Sequence, residues 1–499
     1  MYRQWIIAVI AAISLGLVAC DDYDTFTTDR SATLQFSRKE VVFDTLITTI
    51  PSSTQTLAVY NRGDKGLRIS EVALAGGNAS PFRVNIDGQD MSRSAENRVS
   101  DFEVRSRDSI IVRIEVTLPD TDNDNPHQVA DDLIFTLESG VQQRVSLSVV
   151  GQDAYILRHQ TLTTNTTLTA NRPYVIYDSL VVAQAVTLTL EAGAQLLFHD
   201  GAGLKVDGSL KATGTLDKPV VLRGDRTDHM FDYLPYDRLP SRWEGVVFTK
   251  KSTGNELNYV DLHGGSYGIR CEESTLTDLK LKLLNSRFYM LGGDGLAATD
   301  CRVEIANCEI SNTLGHCVRL TGGDAQFIHC TLTQFYPLDV NRGKALYISC
   351  YEDSTYHALQ RAEFVNSVIT GYADDVVFFP ALDGSAVPGD VVNPQINYDF
   401  LNCFMATTVP AGDAYAKRFR DIVFDPTGGG ENSHQKNFQL FNTHDFLYDF
   451  TPIASSPIRG TADPAYSTAY PLDRLGRSRT TDNAPDAGCY EFVESPATP

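Results

Sequence analysis

The sequence predicts an all-β protein in two parts, an antiparallel β-sandwich followed by a right-handed parallel β-helix. Three observations carry this reading. Between residues 31 and 152, short segments of alternating polarity follow one another with no helical stretch. From Tyr174 onward the chain changes to runs of four to six residues broken by glycine or asparagine. Further on, one fault in the strand alternation recurs, twice at a spacing of 22 residues.

At the N-terminus, Met1, Tyr2 and Arg3 lead to an apolar run from Ile6 to Val18, interrupted by Ser14 and Gly16 and closing on Leu17-Val18-Ala19-Cys20. A run of about 13 residues is too short to span a bilayer, which takes roughly 20, so residues 1–19 read as a signal peptide that is removed. The Leu17-Val18-Ala19-Cys20 tetrad resembles the lipobox of bacterial lipoproteins, which implies that Cys20 is acylated and holds the chain to a membrane. Asp21-Asp22-Tyr23-Asp24 resembles the surface-export signal of lipoproteins in some Gram-negative bacteria. The resemblance implies an outer-membrane lipoprotein exposed at the cell surface, in preference to one facing the periplasm. Residues 20–30 then form an acidic tether.

The formal net charge is −21, and removing residues 1–19 takes away Arg3 alone among charged residues, giving −21 − 1 = −22. Such a balance argues against nucleic acid as a partner and would repel polyanionic polysaccharide. The 499 − 19 = 480 residues that remain exceed one ordinary core, so at least two domains are expected. With Cys20 acylated, eight of nine cysteines remain, none in C-x-x-C spacing, so no metal site and no cofactor are expected. Seven of the eight lie between Cys271 and Cys403, which points to a local structural use.

Residues 31–152 contain the alternating segments Thr33–Phe36, Leu57–Tyr60, Leu67–Ile69, Phe82–Val84, Ser109–Val116, Leu133–Leu137 and Val145–Val150, separated by polar turns. Each predicts a strand with one buried face. Phe43-Asp44, Val59-Tyr60-Asn61-Arg62-Gly63 and Val149-Val150-Gly151 resemble, in order, the opening strand, a strand end and the final strand of Hydin-type immunoglobulin-like domains, although the first lacks the spacer residue. That resemblance implies a spacer or binding module and no catalysis.

Residues 153–450 are assigned to the β-helix. Val303 and Ile305 share odd parity, yet Cys308 and Ile310 share even parity, so the chain must bend at Asn307. The same break falls at Tyr259, Asn285, His329, Asn366 and Asn402, with spacings along the six corners of 26, 22, 22, 37 and 36. Twenty-two residues make one coil, and the longer intervals carry loop insertions. Asparagine suits the corner because it tolerates left-handed backbone and its amide can pair with another one rung above. Ser286, Cys308, Cys330, Ser367 and Cys403 then share one inward column, which makes the cysteines small core residues. A second column runs through Gly268-Ile269, Gly295-Leu296, Cys317-Val318, Ala345-Leu346 and Val376-Val377.

Thr187–Gly193, Gly208–Thr215 and Trp243–Phe248 resemble the opening coils of bacterial pectin-lyase-like β-helix proteins. Within residues 451–499, Ser456–Gly460, Asp473–Arg477 and Asp486–Phe492 resemble the closing segment of the same group, with Cys489 where alanine is usual. The resemblance implies the fold and leaves function open, since that scaffold hosts lyases, hydrolases, adhesins and proteins without activity.

Asp374-Asp375 resembles the aspartate pair of polygalacturonases, but Gly315-His316 precedes the pair where the family places such a segment after it, so the two aspartates read first as loop caps. Arg270, Arg319, His263 and His316 near the second column form no recognised lyase set and read as outward, solvated side chains. Phe231, Tyr233 and Tyr236, in the insertion from Asp225 to Arg242, and Tyr351, in the 37-residue coil, are the candidate ligand-binding residues, because rings beside carboxylates suit sugar or protein recognition. Packing of those loops onto the helix is the competing expectation. The function expected is that of a non-catalytic cell-envelope binding or adhesion protein whose partner is a glycan or a surface protein; a polysaccharide lyase or glycoside hydrolase is the alternative.

Overall fold

The computed structural model describes residues 25–494 apart from 95, 232, 374, 384, 386, 388, 390, 427–433, 482 and 483. The predicted signal peptide and Cys20 lie outside the described residues. The chain divides into two compact units, one ending at Asp153 and the other beginning at Ala154. It is an all-β protein, with helix limited to single turns such as Asp413–Ala416 and Pro464–Ser467.

Among its described residues the first unit has ten strands: β1 (Gln35–Phe36), β2 (Glu40–Ile47), β3 (Gln55–Tyr60), β4 (Leu67–Leu74), β5 (Phe82–Ile86), β6 (Gln89–Asp90), β7 (Arg98–Val104), β8 (Ser109–Val116), β9 (His127–Leu137) and β10 (Gln142–Gln152). They form two five-stranded sheets, ordered β1-β3-β8-β5-β6 and β2-β10-β9-β4-β7. The predicted alternation is borne out along β8, where Ile110, Val112, Ile114 and Val116 are buried and the residues between them are not. These side chains join Leu57, Val59, Phe82, Phe135 and Leu147 in one apolar core, each contributing about 1.5–3 kcal/mol. One pairing departs from the expected antiparallel pattern: β2 runs parallel to β10. Alternation records which face of a strand is buried and is silent about the direction of its neighbour.

Two of the motif residues have clear local reasons. Asn61 is buried, donates from Nδ2 to the carbonyls of Lys65, Val104 and Arg105 at 2.8, 3.0 and 3.0 Å, and accepts from Gly63 N–H. It thereby satisfies backbone groups at a strand end that no ladder reaches. At Gly151 a Cβ would lie 2.5 Å from Leu118 Cδ1 and 2.9 Å from His127 Cε1, so any larger residue would have to displace the ends of these two side chains.

The second unit is built on two long parallel sheets, of eighteen and ten strands, a pattern compatible with a β-helix or solenoid. Three inward columns run through them. Leu262, Phe288, Ile310, Leu332, Ile369 and Met405 pair in register on successive rungs. The predicted second column pairs as Ile269, Leu296, Val318, Leu346 and Val377. The third is Leu257, Leu283, Ile305, Phe327, Phe364, Phe400 and Phe419, and its four phenylalanines stack at 4.7, 5.1 and 4.9 Å. All three columns feed one continuous core.

Every predicted corner has left-handed backbone: φ is 50° at Tyr259, 50° at Asn285, 55° at Asn307, 52° at His329, 51° at Asn366 and 50° at Asn402. The side-chain ladder is interrupted, with Asn366 Nδ2 also 3.0 Å from His329 Nε2 at the next corner. Asn307 donates to Asn285 at 3.2 Å and Asn285 to Asn258 at 2.8 Å. From Asn307 upward the corner side chains turn to the chain's own C-terminal segment. Asn307 donates to Leu472 O and accepts from Arg479, His329 meets Ser467, Asn366 exchanges two hydrogen bonds with the backbone of Asp463, and Asn402 donates to Thr461 O. A segment that competes for the same amides offers backbone groups that need partners, and so interrupts the ladder.

The residues after the corners do more than fill space. Ser286, Cys308, Cys330, Ser367 and Cys403 each donate to the carbonyl two residues earlier, at 2.7, 3.1, 3.5, 2.9 and 3.3 Å. Ser286, Cys308 and Ser367 also accept the N–H of Val260, Ser286 and Cys330 from the rung before. The hydroxyl or thiol is thus the partner of those N–H groups, whereas the carbonyls it meets also accept the N–H of the preceding corner residue. The eight cysteines of the described chain are free and buried, and burial pushes the thiols of Cys308, Cys317 and Cys403 up to about 12.

Candidate functional site

The insertion that carries three of the candidate residues is anchored by a buried ion cluster. His263 lies between two carboxylates, with Nδ1 2.6 Å from Asp261 and Nε2 2.8 Å from Asp237, and Asp237 also meets Arg223 at 2.8 Å. Burial pulls the imidazole pKa down, but the Asp261 charge and the hydrogen bonds to Asp237 and Asp261 win and push it up to about 9. The expectation of a solvated His263 is therefore corrected: Asp237, brought in by the insertion, covers it.

From that anchor a short hairpin projects, His229–Phe231 against Leu234–Pro235. Phe231 and Tyr233 stack at 5.8 Å and are 51% and 46% exposed, and Tyr233 stacks on His444 at 4.2 Å. Tyr236 behaves differently, since its ring lies under the Arg226 guanidinium at 3.8 Å and packs within its own loop. Tyr351 sits in a second hairpin, paired with Tyr356 and held down by Glu352, which accepts from Arg319 at 3.0 Å and Thr321 at 3.1 Å. Among the described residues no ring contact joins Tyr351 to Phe231, Tyr233 or Tyr236.

Asp374 lies outside the described residues. Asp375 caps its loop: Oδ1 accepts from Val377 N at 3.2 Å and Thr407 Oγ1 at 2.9 Å, while its carbonyl accepts from Lys344 Nζ at 3.0 Å. One carboxylate oxygen is thus fixed structurally, and the carboxylate borders a cleft of about 340 Å³ lined also by Phe378, Phe379, Thr407, Thr408, Pro410 and Tyr415.

Leading to that cleft is a ring stack that the sequence reading did not assemble, although it named His316. His316, Tyr347 and Phe378 form a stack on successive rungs, at 4.6 Å and 23° and then 4.7 Å and 13°. Arg319, Tyr347 and Phe378 pair in one outward row, each one residue after a member of the second column. Adding one to each column position would have found them. Nδ1 of His316 accepts from Lys344 N at 2.9 Å, which places the proton of the neutral ring on Nε2. Burial holds the His316 pKa below its ordinary value despite Asp294, with Arg319 and Lys344 adding to the depression. Arg319 bridges two carboxylates, Asp294 and Glu352, each at 3.0 Å. Neither Arg319 nor His316 is the free, solvated side chain expected. Arg270 is exposed, with its guanidinium 3.6 Å from the centre of the Tyr267 ring.

These features define an all-β protein with long parallel sheets, carrying ring stacks and a small cleft on its outer surface. No family model and no curated protein matches the chain. Solved structures similar to parts of it include a family 123 glycoside hydrolase from Clostridium perfringens, at 6% identity and TM-score 0.18, over 24% of this chain and 26% of that one. Another is a PapD-like domain of human CEP192, at 15% identity and TM-score 0.17, over 26% of this chain and 89% of that one. A protein of unknown function from Porphyromonas gingivalis matches at 17% identity and TM-score 0.17, over 26% of this chain and 60% of that one. The chain spans about a quarter of the hydrolase it is similar to.

Proposed function

We propose that this chain is a cell-envelope lipoprotein anchored through Cys20 and displayed at the outer membrane, which binds a glycan without cleaving it. In this reading the parallel sheets are a right-handed β-helix of the pectin-lyase-like kind, and the first unit is an immunoglobulin-like spacer. The observation that carries the binding role is Phe378, 41% exposed, which stacks on Tyr347 and lines the cleft. An apolar ring face beside fixed polar atoms is the composition of a recognition site. Polysaccharide cleavage is the second reading, supported by Asp294 and Glu352 on the same outer surface, but both carboxylates are tied up in ion pairs with the one guanidinium of Arg319.

The test is incubation of the mature chain, lacking residues 1–19, with a panel of neutral and acidic polysaccharides. Retention on a neutral polysaccharide without new reducing ends or unsaturated products is expected. Release of either product would replace binding with catalysis, and retention on none would end the glycan reading.

A further inference from the structure

We propose that the cleft beside Phe378 is a socket for a single neutral pyranose ring, stacked on Phe378 where a fourth ring of the His316–Tyr347–Phe378 stack would stand. The proposal rests on the glycan-binding reading and names the unit recognised. The two ring separations, 4.6 and 4.7 Å, match the spacing of about 4.7–4.9 Å between neighbouring strands, so the stack is paid out one ring per rung. Beside Phe378 the cleft is lined further by Thr407, Thr408 and Pro410, none of which offers an aromatic ring. Its volume of about 340 Å³ falls at the lower end of the roughly 300–1,000 Å³ usual for small-ligand sites, which suits one sugar unit.

The chemistry around the ring face selects the class. A pyranose has an apolar C–H face for Phe378 and a rim of hydroxyl donors. Asp375 is positioned to accept from that rim, because Val377 N–H and the Thr407 hydroxyl hold Oδ1 and so orient the carboxylate, while Oδ2 has no protein donor among the described residues. A planar aromatic ligand offers at most the single edge donor of a phenol in place of a rim of hydroxyls, and a uronate would bring a second negative charge beside that oxygen.

Saturation-transfer NMR on the mature chain tests this with methyl β-glucopyranoside, methyl β-galactopyranoside, methyl α-mannopyranoside, glucuronate and p-cresol as probes. At least one neutral glycoside should receive saturation on the C–H protons of one face. Phe378→Ala should weaken its binding at least tenfold, Phe378→Trp should tighten it, and Asp375→Asn should weaken it several-fold. Thermal melts show that each variant is folded. Equal binding by the Phe378→Ala variant, binding of glucuronate as tight as that of any neutral glycoside, or binding of p-cresol alone overturns the proposal. Retention on a polysaccharide with no binding of any single glycoside overturns the socket and leaves the glycan-binding reading standing; loss of both ends both.

Discussion

Ser367 illustrates how much one small side chain does at a bend. Its hydroxyl donates to Val365 O at 2.9 Å and accepts Cys330 N–H at 3.1 Å, all of it buried. Ser367→Ala leaves Cys330 N–H without a partner, while Val365 O keeps the N–H of His329, and should cost about 2 kcal/mol, whereas Ser367→Cys, the residue used at equivalent places, should cost less than about 1. Urea unfolding midpoints of the two variants check this. Asn366 adds a backbone argument. With φ at 51°, Asn366→Ala loses the exchange with Asp463 and pays for left-handed backbone, about 2–4 kcal/mol together. Asn366→Gly loses the same hydrogen bonds but not the backbone term, so it should be milder by about 1 kcal/mol in the same measurement. The corners themselves were legible, because a parity change in the alternation has a single geometrical meaning. Which partner each corner amide takes was not, since Asp463 lies 97 residues from Asn366 and no periodicity links them.

Among the elements, the insertion from Asp225 to Arg242 depends on one titrating contact. His263 stays protonated between Asp237 and Asp261, with its pKa raised from 6.5 to about 9. Because the folded-state value is raised, the contribution is fully present below about pH 6.5 and is lost as pH rises through about 9. It amounts to roughly 2–3 kcal/mol, the lower figure allowing for the part-exposed Asp237. Proteolytic nicking of the insertion should therefore rise between pH 7 and 10 in the native protein, and His263→Gln should be nicked already at pH 7. Mass spectrometry of the fragments reads both. The insertion was visible in the sequence as an interruption of the rungs, and its rings as candidates. That Phe231 and Tyr233 remain open while Tyr236 packs down was not visible, because Arg226 and His444 decide it by contact.

For the second unit as a whole, the C-terminal segment is the element that ties distant rungs together. Arg479 is fully buried and reaches Glu491 at 2.6 Å, Asn307 at 2.9 Å and Gly488 O at 3.0 Å. Burial pushes the Glu491 carboxyl up to about 7, with Arg479 pulling it down. Arg479→Leu removes the cation and leaves Glu491 and Asn307 buried with fewer partners, which should cost about 3–5 kcal/mol. Ending the chain after residue 455 should lower the midpoint further, since it also strips Asn366, Asn402 and His329 of the groups they meet. Circular dichroism melts of the two variants measure the difference.

What the sequence determined by itself was the local grammar: which residues face inward, where the strands bend, and that the bends stack at 22-residue intervals. These follow from a side-chain period of two and from the few residues that accept left-handed backbone, both properties of short stretches of chain. Only the tertiary structure decided the rest: the parallel pairing of β2 with β10, the capture of the upper corner amides by the C-terminal segment, the burial of His263, and the ring stack that ends at the exposed Phe378. Each of these is a contact between segments far apart in the chain, and it depends on which of several chemically adequate partners arrives first in space, something no local pattern records.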